Sequence, residues 1–233
     1  MGSLGSTNPT TDGTEGTHVS ELISIPSPGV PIYRGTPGEP LVVVVHDWYG
    51  RLPAVEQFAE SLAAEGFWVA VPDLYNGVAT TDEAQAEKLM EALDVGIALA
   101  ELDDVIANAH ARGSAKVGVV GFSLGGWLAL LHAQGGSADA VVAYYASLGP
   151  KDHGVIPAPV QLHYAEKDEW GASEQPEDFV DRLNEHGTPV SQHVYLGTEH
   201  SFANASIRGK HNARAAELAR ARTTQFLSRH LLD

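Results

Sequence analysis

The segment KVGVVGFSLGGWLAL, residues 116–130, decides the fold of this chain. Its β-branched first part predicts a buried strand over residues 116–121, and its later apolar pattern predicts a helix over 124–134. Between them the chain has the pattern G-x-S-x-G, with Ser123 at its centre. In a strand–turn–helix setting this pattern holds a serine hydroxyl exposed on a sharp turn, so we predict that Ser123 is a nucleophile. A glycine-rich turn with an incidental serine is the alternative.

Strands and helices alternate on both sides of this segment. The run LVVVV at residues 41–45 is typical of a strand that is buried on both faces of a parallel sheet. Thr80 and Glu83 have capping-box spacing ahead of a helical stretch that extends to residue 112 and breaks near Asp94. Further strands are predicted over residues 22–25, 31–34, 67–71, 139–146, 160–164 and 192–196, and further helices over 53–66, 176–186 and 213–231. This alternation predicts an α/β fold, in which helices cover both faces of a mostly parallel twisted sheet.

Residues 21–233 are expected to form a single domain. Residues 1–20 are rich in Gly, Ser and Thr and have few side chains to bury, so we expect a disordered tail or a cloning remnant there. The apolar runs are the length of strands and do not approach the ~20 residues that span a bilayer. We therefore expect no membrane partner. No secretory signal is visible at the N-terminus, and the cytoplasm is the default expectation for the compartment. A monomer is expected, with a weak homodimer as the alternative.

The composition argues against several classes of function. A formal net charge of −16 disfavours binding to nucleic acid, because affinity for the phosphate backbone depends on Lys and Arg. The sequence contains no cysteine, which excludes disulfides, thiolate catalysis and thiolate metal ligands. There is also no H-x-x-x-H pair, so we expect no metal site.

Two residues beyond Ser123 complete a candidate catalytic triad. The α/β-hydrolase order is serine, then an acid, then histidine. Asp168 follows the strand predicted over 160–164, and His200 follows the strand predicted over 192–196, each after a short turn. Both therefore belong to the carboxyl edge of the sheet, where open α/β sheets carry their sites. Two other histidines, His46 and His153, also occupy strand ends or loops, and Glu166 and Glu169 are alternatives for the acid.

An oxyanion hole requires two backbone donors aimed at the developing charge. The Leu124 amide, directly after the nucleophile, is the first candidate. The second is the Trp48 amide, in the loop HDWYG (residues 46–50) that follows the run LVVVV. The side chains of Trp48 and Tyr49 can at the same time serve simple packing.

Several motifs in order resemble those of the dienelactone hydrolase family. They are HDWYG, VAVPDLY at residues 69–75, GFSLGGWLAL at 121–130, the acid after the strand 160–164, and EHSFAN at 199–204. The resemblance covers residues 21–232. It implies a compact α/β-hydrolase without a large lid, which acts on small lactones or esters without a cofactor.

The chain also departs from the pattern of that family. The usual nucleophile is cysteine, whereas this chain has Ser123. Asp47 stands where the family has a glutamate that interacts with the nucleophile, and it either keeps that role or makes a structural loop contact. Of the two arginines that bind the substrate carboxylate in the family, one is replaced by Asn204, and no Lys or Arg occurs between Arg51 and Lys88. Arg51 or Arg208 could substitute for them.

The sequence therefore predicts a hydrolase of small carboxylic esters or lactones, acting through an acyl-enzyme. The candidate pocket residues are Tyr49, Arg51, Phe202 and Asn204. With both family arginines replaced, small neutral substrates are expected to be preferred over carboxylates. Two alternatives stay open: a hydrolase of C–C, thioester or amide bonds, and a binding scaffold without catalysis.

Overall fold

A computed structural model describes residues 22–169 and 176–233. The tail predicted over residues 1–20 lies outside this described part of the chain. The strands are β1 (Ile23–Ser24), β2 (Ile32–Arg34), β3 (Leu41–Val45), β4 (Trp68–Val71), β5 (Val78–Ala79), β6 (Val117–Phe122), β7 (Ala140–Tyr144), β8 (Val160–Lys167) and β9 (Val190–Glu199). The helices are α1 (Pro53–Ala63), α2 (Glu83–Glu91), α3 (Val95–Ala111), α4 (Leu124–Ala133), α5 (Pro176–Glu185) and α6 (Ala213–Leu231).

Seven strands form the central sheet in the order β2-β4-β3-β6-β7-β8-β9. All neighbouring pairs are parallel except β2 and β4, which are antiparallel. Strands β1 and β5 form a separate antiparallel pair. Every residue of β3, β4, β6 and β7 is buried, as expected of parallel strands that are covered on both faces. The predicted α/β-hydrolase architecture, with a mostly parallel sheet, is confirmed.

Helices cover both faces of this sheet, and alternation along β3 divides the core into two layers. Leu41, Val43 and Val45 pack in a cluster with apolar side chains of α3, α4 and α5. Val42 and Val44 face the other way, toward α1 and α6. Successive side chains of a strand point to opposite faces, so one apolar run supplies both layers.

Besides small differences at the ends of other elements, the structure differs from the sequence-based expectation at three places. Strands β8 and β9 extend to Lys167 and Glu199, so no turn separates them from Asp168 and His200. The N-cap of α2 is Asp82, whose carboxylate accepts from the Gln85 amide, whereas Thr80 accepts from the Asp82 amide. The pair of β1 with β5 was not predicted, because two-residue strands leave no period to recognise. Within the described ranges, no helix is long and apolar enough to cross a membrane.

Candidate active site

Ser123 occupies a sharp turn between β6 and α4. Its backbone has φ 51° and ψ −115°, a conformation that costs energy for a residue with a side chain. The Ser123 amide donates to the Tyr144 carbonyl at 2.9 Å, which ties this turn to the end of β7. A strained turn held from outside is the setting expected of a nucleophile elbow, and it presents the Ser123 hydroxyl at the carboxyl edge of the sheet.

Two glycines permit this turn. A Cβ on Gly121 would lie 2.0 Å from the Gly125 carbonyl oxygen, so only glycine fits there. A Cβ on Gly125 would lie 2.3 Å from the His46 carbonyl oxygen and 2.4 Å from that of Val45. The start of α4 is thus packed directly against the end of β3, which brings the loop after β3 beside the turn that carries Ser123.

The residues predicted as a triad are brought together in one hydrogen-bonded chain. Ser123 Oγ lies 2.7 Å from His200 Nε2, and His200 Nδ1 lies 2.8 Å and 2.9 Å from the two Asp168 carboxylate oxygens. Because a carboxylate only accepts, Nδ1 carries the proton and Nε2 is left to accept from the serine hydroxyl. Of the alternative acids, Glu166 instead accepts from the Gly197 amide at 2.8 Å.

Tyr145 is a part of this site that the sequence reasoning missed. Its ring centroid lies 4.9 Å from that of His200, and its side chain is buried. Tyr145 has φ 40°, so the carboxyl end of β7 turns sharply just where the end of β6 does. From the sequence, Tyr145 could be placed at the end of a buried strand. That this strand lies next to β6, and so beside Ser123, is known only once the strand order of the sheet is known.

The loop formed by residues 46–50, here called the oxyanion loop after the donor expected in it, is held by hydrogen bonds along its length. The Gly50 amide donates to the Asp47 carbonyl at 3.1 Å, and the Thr80 amide donates to the Tyr49 carbonyl at 2.9 Å. Gly50 has φ 90°, and a Cβ there would lie 2.9 Å from the Val78 carbonyl oxygen. The loop is therefore rigidly seated between the end of β3 and β5.

The Asp47 carboxylate is buried within this site. One oxygen accepts from the Tyr49 amide at 3.0 Å and the other from the Asn204 side-chain amide at 2.8 Å. Burial raises the pKa of Asp47 to about 6, while the two hydrogen bonds and the nearby His200 act in the opposite direction. Asp47 therefore makes the structural loop contact that was one of its two expected roles.

The four expected pocket residues are not among those that line the cleft beside His200. Arg51 is 1% exposed, and its guanidinium donates to the carbonyls of Val30 at 2.8 Å and Pro26 at 2.7 Å, so it fastens the N-terminal segment. Tyr49 and Phe202 are fully buried among apolar and aromatic neighbours. Asn204 is 4% exposed and binds Asp47. The expectation that Arg51 binds substrate is corrected, because its buried guanidinium is bound by backbone carbonyls and lies 3.8 Å from the Glu56 carboxylate.

The cleft beside His200 has a volume of about 600 Å³ and charged walls. Besides His200, it is lined by Glu83, Lys167, Glu169, Glu199 and Lys210. Lys210 Nζ lies 2.5 Å from a Glu83 carboxylate oxygen, so this ion pair joins the start of α2 to the segment after β9. Neither Lys167 nor Lys210 was predicted from the sequence, because both lie outside the segments in which the family carries its arginines. In the described part of the chain, no group of three or more His, Cys, Asp or Glu side chains could hold a metal ion.

This chain is similar to known proteins over most of its length. The sequence model of the dienelactone hydrolase family matches residues 31–231. Protein usf of Aquifex pyrophilus is 28% identical over 230 residues, which cover 91% of this chain and 100% of that protein. The carboxymethylenebutenolidase of Pseudomonas putida is 29% identical over 204 residues, which cover 81% of this chain and 85% of that enzyme.

A solved structure shows the same fold. The dienelactone hydrolase-like promiscuous phosphotriesterase from metagenomic libraries matches with a TM-score of 0.71 at 21% identity, over 84% of this chain and 88% of that one. The family match extends over most of the chain and contains the elbow, the acid and the histidine. The chain therefore belongs to the dienelactone hydrolase family of the α/β-hydrolase superfamily, and it is a hydrolase.

Proposed function

We propose that this protein hydrolyses small carboxylic esters or lactones through a covalent acyl-enzyme formed on Ser123. The hydrogen-bonded chain from Ser123 through His200 to Asp168 carries the proposal. A serine hydroxyl is nearly inert near neutral pH and needs a base within hydrogen-bond reach, which the 2.7 Å contact to His200 Nε2 supplies. Relatives named carboxymethylenebutenolidase support a lactone or ester as the substrate class.

The reaction proceeds in two steps. In the first, Ser123 Oγ attacks the carbonyl carbon while His200 Nε2 takes the hydroxyl proton and later gives it to the leaving alkoxide. In the second, His200 removes a proton from water, which attacks the acyl-enzyme, and His200 then returns that proton to Ser123 Oγ as the acid is released. Asp168 holds the Nδ1–H tautomer in place and stabilises the imidazolium that forms in each step.

The negative charge on the carbonyl oxygen is stabilised by the backbone amides of Trp48 and Leu124. Leu124 is the first residue of α4, and the first amides of a helix have no partner within that helix. The contact of Gly125 with the Val45 and His46 carbonyls supports the pairing, because it sets the start of α4 against the oxyanion loop. Two preorganised donors of this kind contribute strongly to acyl transfer.

Substitution of Ser123 or His200 by alanine tests the mechanism. Each variant should lose ester turnover by about 10⁴-fold or more, and the double variant should be little worse than either, because the two residues act as a unit. Initial rates with a neutral aryl ester measure this, with circular dichroism to verify folding. Ser137→Ala, at an exposed serine between α4 and β7, is the matched control and should keep full activity. Near-normal turnover by purified Ser123→Ala would refute the proposal.

A fluorophosphonate probe separates catalysis from a non-catalytic scaffold. Such a probe forms a covalent bond with an activated serine and leaves a passive one unlabelled, so the wild type should be labelled and Ser123→Ala should not. Labelling should also fall in His200→Ala, where the base is missing. An unlabelled wild type would favour the binding scaffold.

A further inference from the structure

His46 is a fully buried histidine to which the proposed mechanism assigns no role. It is the first residue after β3 and the first of the oxyanion loop. Its ring bridges two backbone segments: Nδ1 lies 2.7 Å from the Asp47 carbonyl oxygen, and Nε2 lies 3.2 Å from the Leu74 amide nitrogen. The ring also packs against Tyr75, with the ring centroids 5.1 Å apart.

These two contacts determine the protonation state of the ring. A carbonyl oxygen only accepts, so Nδ1 must carry a proton, and an amide only donates, so Nε2 must not. His46 is therefore the neutral Nδ1–H tautomer. Burial lowers its pKa to about 4, which is consistent with a ring that stays neutral near neutral pH.

The Nδ1 contact has a consequence for the peptide group that joins Asp47 to Trp48. A trans peptide is planar, and its carbonyl and its N–H point in opposite directions. The carbonyl of this group is directed toward His46 Nδ1, and it also accepts from the Gly50 amide at 3.1 Å. The N–H of the same group, which belongs to Trp48, must therefore point away from His46.

We propose that His46 is a positioning residue, which aims the Trp48 amide into the oxyanion hole by holding the Asp47 carbonyl from the opposite side. The inference rests on the proposed acyl-enzyme mechanism, because it concerns the donor to the oxyanion. His46 itself touches no reacting atom. Its effect is confined to the transition state, where the oxyanion exists, so it should change kcat while leaving KM nearly unchanged.

Two substitutions distinguish the roles of the two ring nitrogens of His46. In His46→Asn, the side-chain amide nitrogen occupies the place of Nδ1 and can still donate to the Asp47 carbonyl. In His46→Gln, the side chain reaches the place of Nε2 and leaves that carbonyl without its donor. We expect His46→Asn to keep kcat within about threefold and His46→Gln to lose on the order of 10- to 100-fold in kcat, below the full loss of an oxyanion donor.

The affinity for a trifluoromethyl ketone, which forms a tetrahedral oxyanion adduct with an activated serine, is the second readout. In His46→Gln this affinity should fall by the same factor as kcat/KM. If His46 had a purely structural role, the loss of affinity in each variant would instead follow its loss of melting temperature, whichever ring nitrogen the new side chain replaces. The inference is overturned if folded His46→Gln keeps wild-type kcat, or if His46→Asn, equally stable, loses as much as His46→Gln.

A measurement on the wild-type protein covers the case in which neither variant folds. The amide proton of Trp48, observed by NMR, should shift strongly downfield when the ketone adduct forms on Ser123. If the adduct forms and the Trp48 amide does not shift, the inference about His46 fails together with the assignment of Trp48 as an oxyanion donor, while the acyl-enzyme mechanism on Ser123 stands. If no adduct forms and Ser123→Ala keeps its turnover, the proposed function itself fails.

Discussion

Among single residues, Asn204 is the one whose neighbours most change its interpretation. Its side-chain amide donates to Asp47, while its carbonyl oxygen accepts from the Ser206 amide at 2.9 Å. In the dienelactone hydrolase family this position is expected to carry an arginine that faces the substrate. Here the side chain is turned inward and satisfies a buried carboxylate, so its substitution should affect the oxyanion loop more than substrate charge.

Asn204→Leu should expose the dependence of Asp47 on this donor. Without it, the ionised carboxylate keeps only the Tyr49 amide as a donor, so we expect a loss of about 1–3 kcal/mol in the free energy of unfolding at pH 8. The loss should be smaller at pH 5, below the Asp47 pKa of about 6, because a neutral carboxyl is less costly to bury. Urea denaturation at both pH values measures this. Equal losses at pH 5 and pH 8 would contradict the account.

At the scale of elements, the cleft is bordered by α2 on one side and the segment after β9 on the other. Glu83, the first residue of α2, accepts from Lys210 at 2.5 Å and from the Tyr49 hydroxyl at 3.4 Å. The ammonium of Lys210 is thereby partly neutralised, although the Glu83 side chain is 54% exposed and exposed ion pairs contribute little. An incoming carboxylate must compete with Glu83 for Lys210, and the other lysine of the cleft, Lys167, shares it with Glu169 and Glu199.

This competition predicts a preference among substrates. A neutral ester should have a higher kcat/KM than the matched ester that carries a carboxylate on the same acyl group. Glu83→Gln should narrow the ratio by up to about fivefold, because an exposed pair contributes about 1 kcal/mol at most. Rates with both esters, at low and moderate salt, measure the ratio.

The matched control for Glu83→Gln is Glu217→Gln. It removes an ion pair of similar length, 2.6 Å to Arg220 on α6, and should leave the ratio unchanged. The prediction fails if the carboxylate ester is the better substrate of the wild type. It fails equally if Glu83→Gln and Glu217→Gln give the same ratio.

Across the whole molecule, ionisable groups are buried on both sides of the sheet. His163 lies in β8, where its ring is hydrogen-bonded to the Tyr195 hydroxyl at 2.7 Å and the Thr223 hydroxyl at 3.0 Å. Burial lowers the pKa of His163 well below its usual value, and it lowers that of His46 to about 4. Both rings are neutral in the folded protein, so acid must protonate them mainly in the unfolded chain.

The sign of the resulting pH dependence follows from proton binding. Between pH 6.5 and pH 4 the unfolded chain holds a proton on His46 that the folded protein lacks, so this contribution to stability is lost as the pH falls. The stability difference between the wild type and His46→Asn should therefore decrease by about 2 kcal/mol from pH 7 to pH 5. The contribution of Asp47 to the pH dependence of stability has the opposite sign, because its raised pKa favours the folded state in acid. Both proteins contain Asp47, so this contribution cancels in the difference. Urea denaturation at pH 5, 6 and 7 measures the difference, and a difference independent of pH would contradict the burial of neutral His46.

Much of the architecture could be predicted from the sequence alone. The strand Leu41–Val45 and the helix Ala213–Leu231 have the predicted bounds in the structure. Burial on both faces of a strand and helical periodicity can both be recognised from residues that are close together in the sequence. The elbow at Ser123 could also be read locally, because it needs glycines at fixed positions in a strand–turn–helix segment. The order of Ser123, Asp168 and His200 along the chain is likewise a sequence property, and their catalytic roles stay predictions.

The contents of the cleft and the directions of its side chains were decided only by the tertiary structure. Lys210 and Glu83 are 127 positions apart, and nothing local in either segment indicates that they meet across the cleft. Arg51 has the positive charge that could bind a substrate carboxylate, but its guanidinium donates instead to backbone carbonyls of the N-terminal segment that covers it. His46 has an ordinary position after a strand, and only the placement of Leu74 and of the Asp47 carbonyl orients its ring. Sequence patterns record burial and local conformation, whereas the partner of a polar side chain depends on which distant segments the sheet order brings beside it.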